Sequence, residues 1–176
     1  MKRRFSIMIL VAFIVLSCDD NSNSTNQGDE IKKHSTLNVK TGSEYFSFAT
    51  NSGSTNSTSN YDIEFYSVFW RPAPGAPEIY DPRFRGNNGI DIAVIKDTKS
   101  LEDVTEVPSS NKFISNFSTE SDLWFYPTAA NIVVPFDYVY VVNTADGKFP
   151  AFEIINYYDE DGNSGVFSIE WKYLSD

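Results

Sequence analysis

From Phe167 to Tyr173 the chain alternates without a break. Phe167, Ile169, Trp171 and Tyr173 hold one parity; Ser168, Glu170 and Lys172 hold the other. Only a β-strand, with its two-residue side-chain period, sorts these residues into one apolar and one polar face. The strand must therefore cover a core on one side and meet water on the other. Upstream, Tyr138–Thr144 and Phe149–Tyr158 read as strands, joined by the hairpin signal Asp146-Gly147. Asp159–Gly165 reads as the next turn, so the C-terminal third is expected to be a three-strand meander. Tyr45–Thr50, Tyr61–Trp70 and Ile90–Ile95 carry further strand patterns. Shorter runs lie at Lys112–Phe117 and Leu123–Tyr126, and Leu101–Val107 could be a strand or one helical turn. In Tyr61–Trp70, Ile63 and Phe65 face one way and Asp62, Glu64 and Tyr66 the other. No segment sustains a helical period, and no internal repeat is present. The expected fold is all-β, an antiparallel two-sheet, sandwich-like single domain.

The N-terminus restricts where such a domain works. Lys2, Arg3 and Arg4 precede an apolar run from Phe5 to Leu16, followed by Ser17-Cys18-Asp19-Asp20. The run is too short for the ~20 residues of a membrane-spanning helix and reads as a secretory signal. A small residue before a lone cysteine resembles a bacterial lipobox. Residues 1–17 are then a signal peptide, and Cys18 becomes the acylated first residue of a membrane-anchored chain. Residues 18–36, rich in Asp, Asn, Ser and Thr, are expected to be a flexible polar tether that includes a solvated His34, with the folded domain spanning 37–176. An acidic stretch directly after the cysteine fits export to the outer membrane, facing outward.

Charge and composition then remove whole classes of function. Loss of residues 1–17 takes the formal charge from −10 to −13, eleven basic against 24 acidic residues, which repels nucleic acid. The sole cysteine is Cys18, the sole histidine His34, and both methionines, Met1 and Met8, lie in the signal. The domain therefore has no disulfide, thiolate or imidazole chemistry, and no Ser-His-Asp triad can form. No pair of carboxylates stands out as a catalytic acid and base, so an enzyme is not expected.

Two segments could carry a ligand. Arg71, Arg83 and Arg85, the three arginines after the signal, lie within fifteen residues alongside Trp70, Tyr80 and Phe84. Guanidinium forks beside flat rings suit an anionic planar ligand. The same residues also fit a solvated loop in which the arginines pair with Glu78, Asp81 and Asp91. The prolines between Pro72 and Pro82 argue against a central strand or a helix there. Leu123-Trp124-Phe125-Tyr126-Pro127 is a second aromatic cluster, suited to core packing or, through Trp124 and Tyr126, to a ligand. Asp159, Asp161 and Asn163 have the spacing of the start of a calcium loop. Ser164 replaces the glycine that such a loop needs, and strands flank it, so a polar hairpin turn is expected in place of a calcium site.

The segments Val139–Phe149, Ala151–Ile154 and Phe167–Tyr173 together resemble the HmuY family of haem-capturing surface lipoproteins. Tyr45–Phe48, Asn60–Phe65, Arg85–Gly89 and Val104–Pro108 extend the resemblance over most of residues 44–174, with Thr144-Ala145-Asp146-Gly147-Lys148 its most specific part. The resemblance implies an all-β fold whose loops at one end grip haem between two histidine or methionine side chains, and delivery of that cargo to an outer-membrane haem receptor. This chain has neither residue type in Thr128–Val134 or in the glycine-rich turn. Haem would then need a phenolate ligand such as Tyr80 or Tyr126, or stacking and propionate pairing alone. The alternative on the same fold is a surface interaction module that binds no tetrapyrrole.

Overall fold

The computed structural model describes residues 30–175 apart from 59, 72, 77, 99, 120–123 and 126–131, and for 124 and 125 it describes the backbone. Among the described residues twelve strands run in order: β1 (Lys32–Ser35), β2 (Ser43–Ser47), β3 (Ser52–Ser54), β4 (Ile63–Trp70), β5 (Ile79–Gly86), β6 (Asp91–Ile95), β7 (Ile114–Ser115), β8 (Trp124–Phe125), β9 (Val134–Pro135), β10 (Val139–Asn143), β11 (Pro150–Tyr158) and β12 (Ser164–Tyr173). They form a six-stranded sheet ordered β1-β12-β11-β10-β6-β7, a four-stranded sheet ordered β3-β2-β4-β5, and the small pair β8-β9. Every pairing is antiparallel. The expected all-β, two-sheet architecture with its β10-β11-β12 meander is the one observed.

The alternation in β12 does what its period requires. Phe167, Ile169 and Trp171 are buried, while Ser168, Glu170 and Lys172 are partly exposed. The inner face meets the small sheet through aromatic rings. Phe48 lies 5.1 Å from Trp171, Phe65 4.8 Å from Phe167, and Phe84 4.8 Å from Tyr140 and 5.2 Å from Phe152. These are edge-on and tilted contacts of the kind that add to area burial. The Trp171 indole N–H donates to Asn51 Oδ1 at 2.9 Å, so the ring is buried without an orphaned donor. Strand β10 differs from β12 because both its faces are covered. Tyr140 and Val142 join the core between the sheets, whereas Val139 and Val141 pack with Leu101 and Val104 around a short 3-10 turn, Leu101–Asp103. Its unbroken apolar run is the signature of that double burial. At the β10–β11 hairpin, Gly147 has φ +75°, the left-handed conformation that the Asp-Gly turn demands.

Three segments depart from the sequence reading. Residues 32–35, expected in the tether, form β1 at the edge of the large sheet, opposite Trp171, Glu170, Ile169 and Ser168. An edge strand is held by backbone hydrogen bonds and needs little apolar burial, so its Lys-Lys-His-Ser sequence conceals it. Ser52–Ser54, between the two strands read at Tyr45–Thr50 and Tyr61–Trp70, is the short edge strand β3. The proline segment ends in β5, also an edge strand, where Pro82 stands opposite Ser67.

His34 is correspondingly not solvated. Its Nε2 lies 2.6 Å from Glu44 Oε1, and its ring centroid is 4.4 Å from that of Phe46. The Glu44 side chain is 3 % exposed, and its second oxygen accepts the Leu37 N–H at 2.6 Å. The pair ties the first strand of the large sheet to the small sheet.

Candidate functional site

The β4–β5 ladder decides how the arginine-aromatic segment is divided. Phe65 pairs with Phe84, Ser67 with Pro82 and Phe69 with Tyr80; between them Glu64 pairs with Arg85, Tyr66 with Arg83 and Val68 with Asp81. Alternation therefore sends Tyr80 and Phe84 to one face and Arg83 and Arg85 to the other. Phe84 is fully buried and serves the core, so it is not available to a ligand. On the outer face Arg85 Nε donates to Glu64 Oε2 at 2.7 Å, and its guanidinium lies over the Tyr66 ring at 5.2 Å. Arg83 donates through Nε and Nη2 to Asp81 Oδ2 at 2.9 and 2.8 Å. Asp91, the third carboxylate considered from sequence, instead lies on β6 opposite Asn143.

The tip of the same hairpin builds a different arrangement. Arg71 is paired with Glu78, and its guanidinium sits 5.7 Å from the Phe69 ring centroid. The Tyr80 hydroxyl donates to the other Glu78 oxygen at 3.2 Å, and the Phe69 and Tyr80 rings are 5.5 Å apart. Phe69 and Trp70 are 52 % and 54 % exposed.

Beside this tip opens a cleft of about 890 Å³, within the size range of small-molecule sites. Glu78, Ile79 and Tyr80 line one side; Ile132, Val133, Tyr157 and Tyr158 line another; Gly162 and Ser164 of the β11–β12 turn and Lys40 complete it. Its phenol hydroxyls are engaged. Tyr158 Oη accepts the Val133 N–H at 2.6 Å, holding that segment against β11, and Tyr157 Oη is 2.5 Å from Ser67 Oγ. The Tyr80 phenol is pushed above its ordinary pKa by partial desolvation and by the Glu78 carboxylate, which outweigh the nearby Arg71. Tyr80 is thus held in the neutral form. The calcium-like turn next to the cleft is closed on itself. Asp159 Oδ1 accepts the N–H groups of Asp161 and Asn163 at 3.0 and 2.7 Å, and its Oδ2 accepts Asn163 Nδ2 at 3.1 Å.

A second depression, about 640 Å³, is lined by Ile95, Asp97, Thr98, Asp103, Val104, Thr105 and Glu106. Its charged lining is wholly acidic and carries no aromatic ring, which disfavours an anionic planar ligand there.

Of the residues selected from sequence, Tyr80 lines the cleft, and Arg71 reaches it only through its pairing with Glu78. Trp70 stands opposite Ile79 at the end of the ladder. The Trp124 backbone pairs with Pro135 in β8-β9, and Tyr126 and Cys18 lie outside the described residues. Sequence reasoning missed Lys40, Ile132, Val133, Tyr157 and Tyr158. The Tyr157-Tyr158 pair abutting an acidic turn was the one local signal; Lys40 has none, because its place follows from the docking of β1.

The HmuY protein family model matches residues 26–171. The chain belongs to the HmuY family. Solved structures with the same fold include a lipoprotein candidate from Bacteroides fragilis, 13 % identical, covering 88 % of this chain and 93 % of that one at a TM-score of 0.57. An apo HmuY analogue from Tannerella forsythia is 10 % identical, covering 86 % of this chain and 100 % of its own, at a TM-score of 0.53. An HmuY-like haem-binding candidate from Bacteroides vulgatus is 13 % identical, covering 83 % and 93 %, at a TM-score of 0.51. At these identities the likeness is one of fold. No curated protein matches the chain.

Proposed function

We propose that this HmuY-family chain is a surface lipoprotein that binds haem or a related tetrapyrrole in its loop-end cleft for uptake. The observation that carries this reading is the cleft itself. In a family whose name is shared by a haem-binding candidate among the solved structures, it brings the rings of Tyr80 and Tyr158 and the apolar Ile79, Ile132 and Val133 to one opening. A flat macrocycle gains affinity by stacking on such rings and burying its apolar edge.

The residues present suit the macrocycle better than its iron. His34, the sole imidazole, is occupied by Glu44 and Phe46, and Tyr80 keeps its proton beside Glu78. The affinity is therefore assigned to stacking and charge, and metal-free porphyrin is expected to bind as haem does. An absorbance titration of the purified chain tests the reading: a saturable Soret shift is expected, and no change up to high micromolar porphyrin would overturn it. In that event the interaction-module reading takes over, with the exposed Phe69 and Trp70 at the hairpin tip as its contact surface.

Anchoring at the outer membrane by a lipid on Cys18, facing outward, completes the proposal, and an outer-membrane haem receptor is the partner it implies. Cys18→Ala should move the protein from the membrane to the soluble fraction; retention on the membrane would contradict lipid anchoring.

A further inference from the structure

The path of the N-terminal segment suggests more than attachment. Strand β1 starts beside Trp171, at the C-terminal end of β12, and runs antiparallel to that strand toward its N-terminal end. Past β1 the docking continues: Thr36 N–H donates to Phe167 O at 2.9 Å and Val39 N–H to Gly165 O at 2.8 Å. Asn38 fixes the last step. Its Nδ2 donates to Ser164 O at 3.3 Å, and its Oδ1 accepts the Lys40 N–H at 3.0 Å. Gly165 makes room for it, since a Cβ there would stand 2.5 Å from Asn38 Oδ1 and the backbone has φ +119°. The segment thus ends with Lys40 in the wall of the cleft, its ammonium 5.5 Å from the Tyr80 ring centroid.

The charges around the cleft leave Lys40 in a distinct position. Glu78 is satisfied by Arg71 and the Tyr80 hydroxyl, and Asp159 by its own turn. Arg83 and Arg85 are committed on the far face of β5. Among the described residues, Lys40 makes no ion pair with any carboxylate. A cation beside an aromatic wall, in a chain of formal charge −10, is a local reversal of sign.

We propose that Lys40 is the anion-binding residue of the cleft, taking a carboxylate of a planar aromatic ligand, and that the docked segment Asn38–Val39 positions it. This rests on the reading of the cleft as a tetrapyrrole site, and it assigns to Lys40 the role that sequence alone offered to the arginines. A contact of this kind discriminates a charged carboxylate from a neutral amide and weakens with salt.

The test uses metal-free protoporphyrin IX and its neutral diamide, titrated against wild type, Lys40→Met and Lys40→Arg at low and high salt. The wild type is expected to prefer the dicarboxylate by roughly tenfold at low salt, and Lys40→Met to lose that preference by weakening the dicarboxylate far more than the diamide. Lys40→Arg should keep it. Unchanged dicarboxylate affinity in Lys40→Met, or equal loss for both ligands, would overturn the role of Lys40 and leave the cleft reading standing. Failure of the wild type to bind either porphyrin would overturn both.

Discussion

Phe84 and Tyr80 lie four residues apart on the same face of β5. Phe84 is sealed among Phe65, Tyr140 and Phe152, whereas Tyr80 borders an open cleft with Glu78 and Lys40. Both are aromatic side chains on one edge strand. The difference lies in what stands opposite. Phe84 meets β10 and β11 of the large sheet, while Tyr80, farther along, meets the end of β11 and the segment at Ile132–Val133. One strand thus supplies stability along its middle and the wall of an open cleft at its end, without any change in residue class. In such a fold aromatic content does not by itself mark an open cleft; position along the strand does.

The largest expected effect breaks the core half of that comparison. Trp171→Ala should destabilise the fold by about 3–5 kcal/mol in denaturant unfolding, because it empties a site ringed by Phe46, Phe48 and Tyr173. Tyr80→Ala should cost less than about 1 kcal/mol of stability yet weaken porphyrin binding, since its ring contributes to the cleft wall. A loss below about 1 kcal/mol for Trp171→Ala, or a larger one for Tyr80→Ala, would erase the distinction.

A smaller effect concerns the outer face of the same strand. Arg85→Ala leaves the buried Glu64 carboxylate without its guanidinium partner. Stability should fall by roughly 1–3 kcal/mol, the range for losing a hydrogen bond to a buried charged group, with porphyrin affinity unchanged. Parallel loss of affinity would return Arg85 to the ligand site.

The smallest effect is a pH dependence. Glu153 is raised above its ordinary pKa by burial, with Glu170, Asp137 and Glu102 adding to the rise, against the Leu101 N–H that donates to it at 3.0 Å. With the folded pKa above the unfolded one, protonation favours the folded state. Its contribution is therefore greatest in acid and is lost as pH rises from the ordinary glutamate range through the folded pKa. Glu153→Gln should leave stability at neutral pH unchanged or higher, and remove that part of the slope in unfolding experiments run from pH 4 to pH 7. An unchanged slope would mean that the carboxylate carries no such cost.

Much of the fold was legible because it depends on local period. The β12 alternation, the Asp146-Gly147 turn and the run at Tyr138–Thr144 each specify strand or turn by short-range chemistry, and all three stand as expected. Edge strands were not legible: β1 and β3 are polar and short, and only their neighbours' backbones reveal them. The site was half legible. The composition of residues 70–85 marked an aromatic and basic segment, but strand parity, which splits Tyr80 from Arg83 and Arg85, appears only once Ile79–Gly86 is known to be a strand. Lys40 and Tyr158 converge across more than a hundred residues of sequence, and no local pattern encodes that meeting.

In the proposed function the cleft grips a macrocycle by its faces and its charge rather than by its metal. Parallel absorbance titrations with ferric haem and metal-free protoporphyrin IX test this most directly. The predicted result is saturable binding of both within about tenfold of each other, with a haem spectrum free of the low-spin bands of paired histidines. Tight haem binding with sharp low-spin bands, and no binding of the metal-free ring, would contradict it.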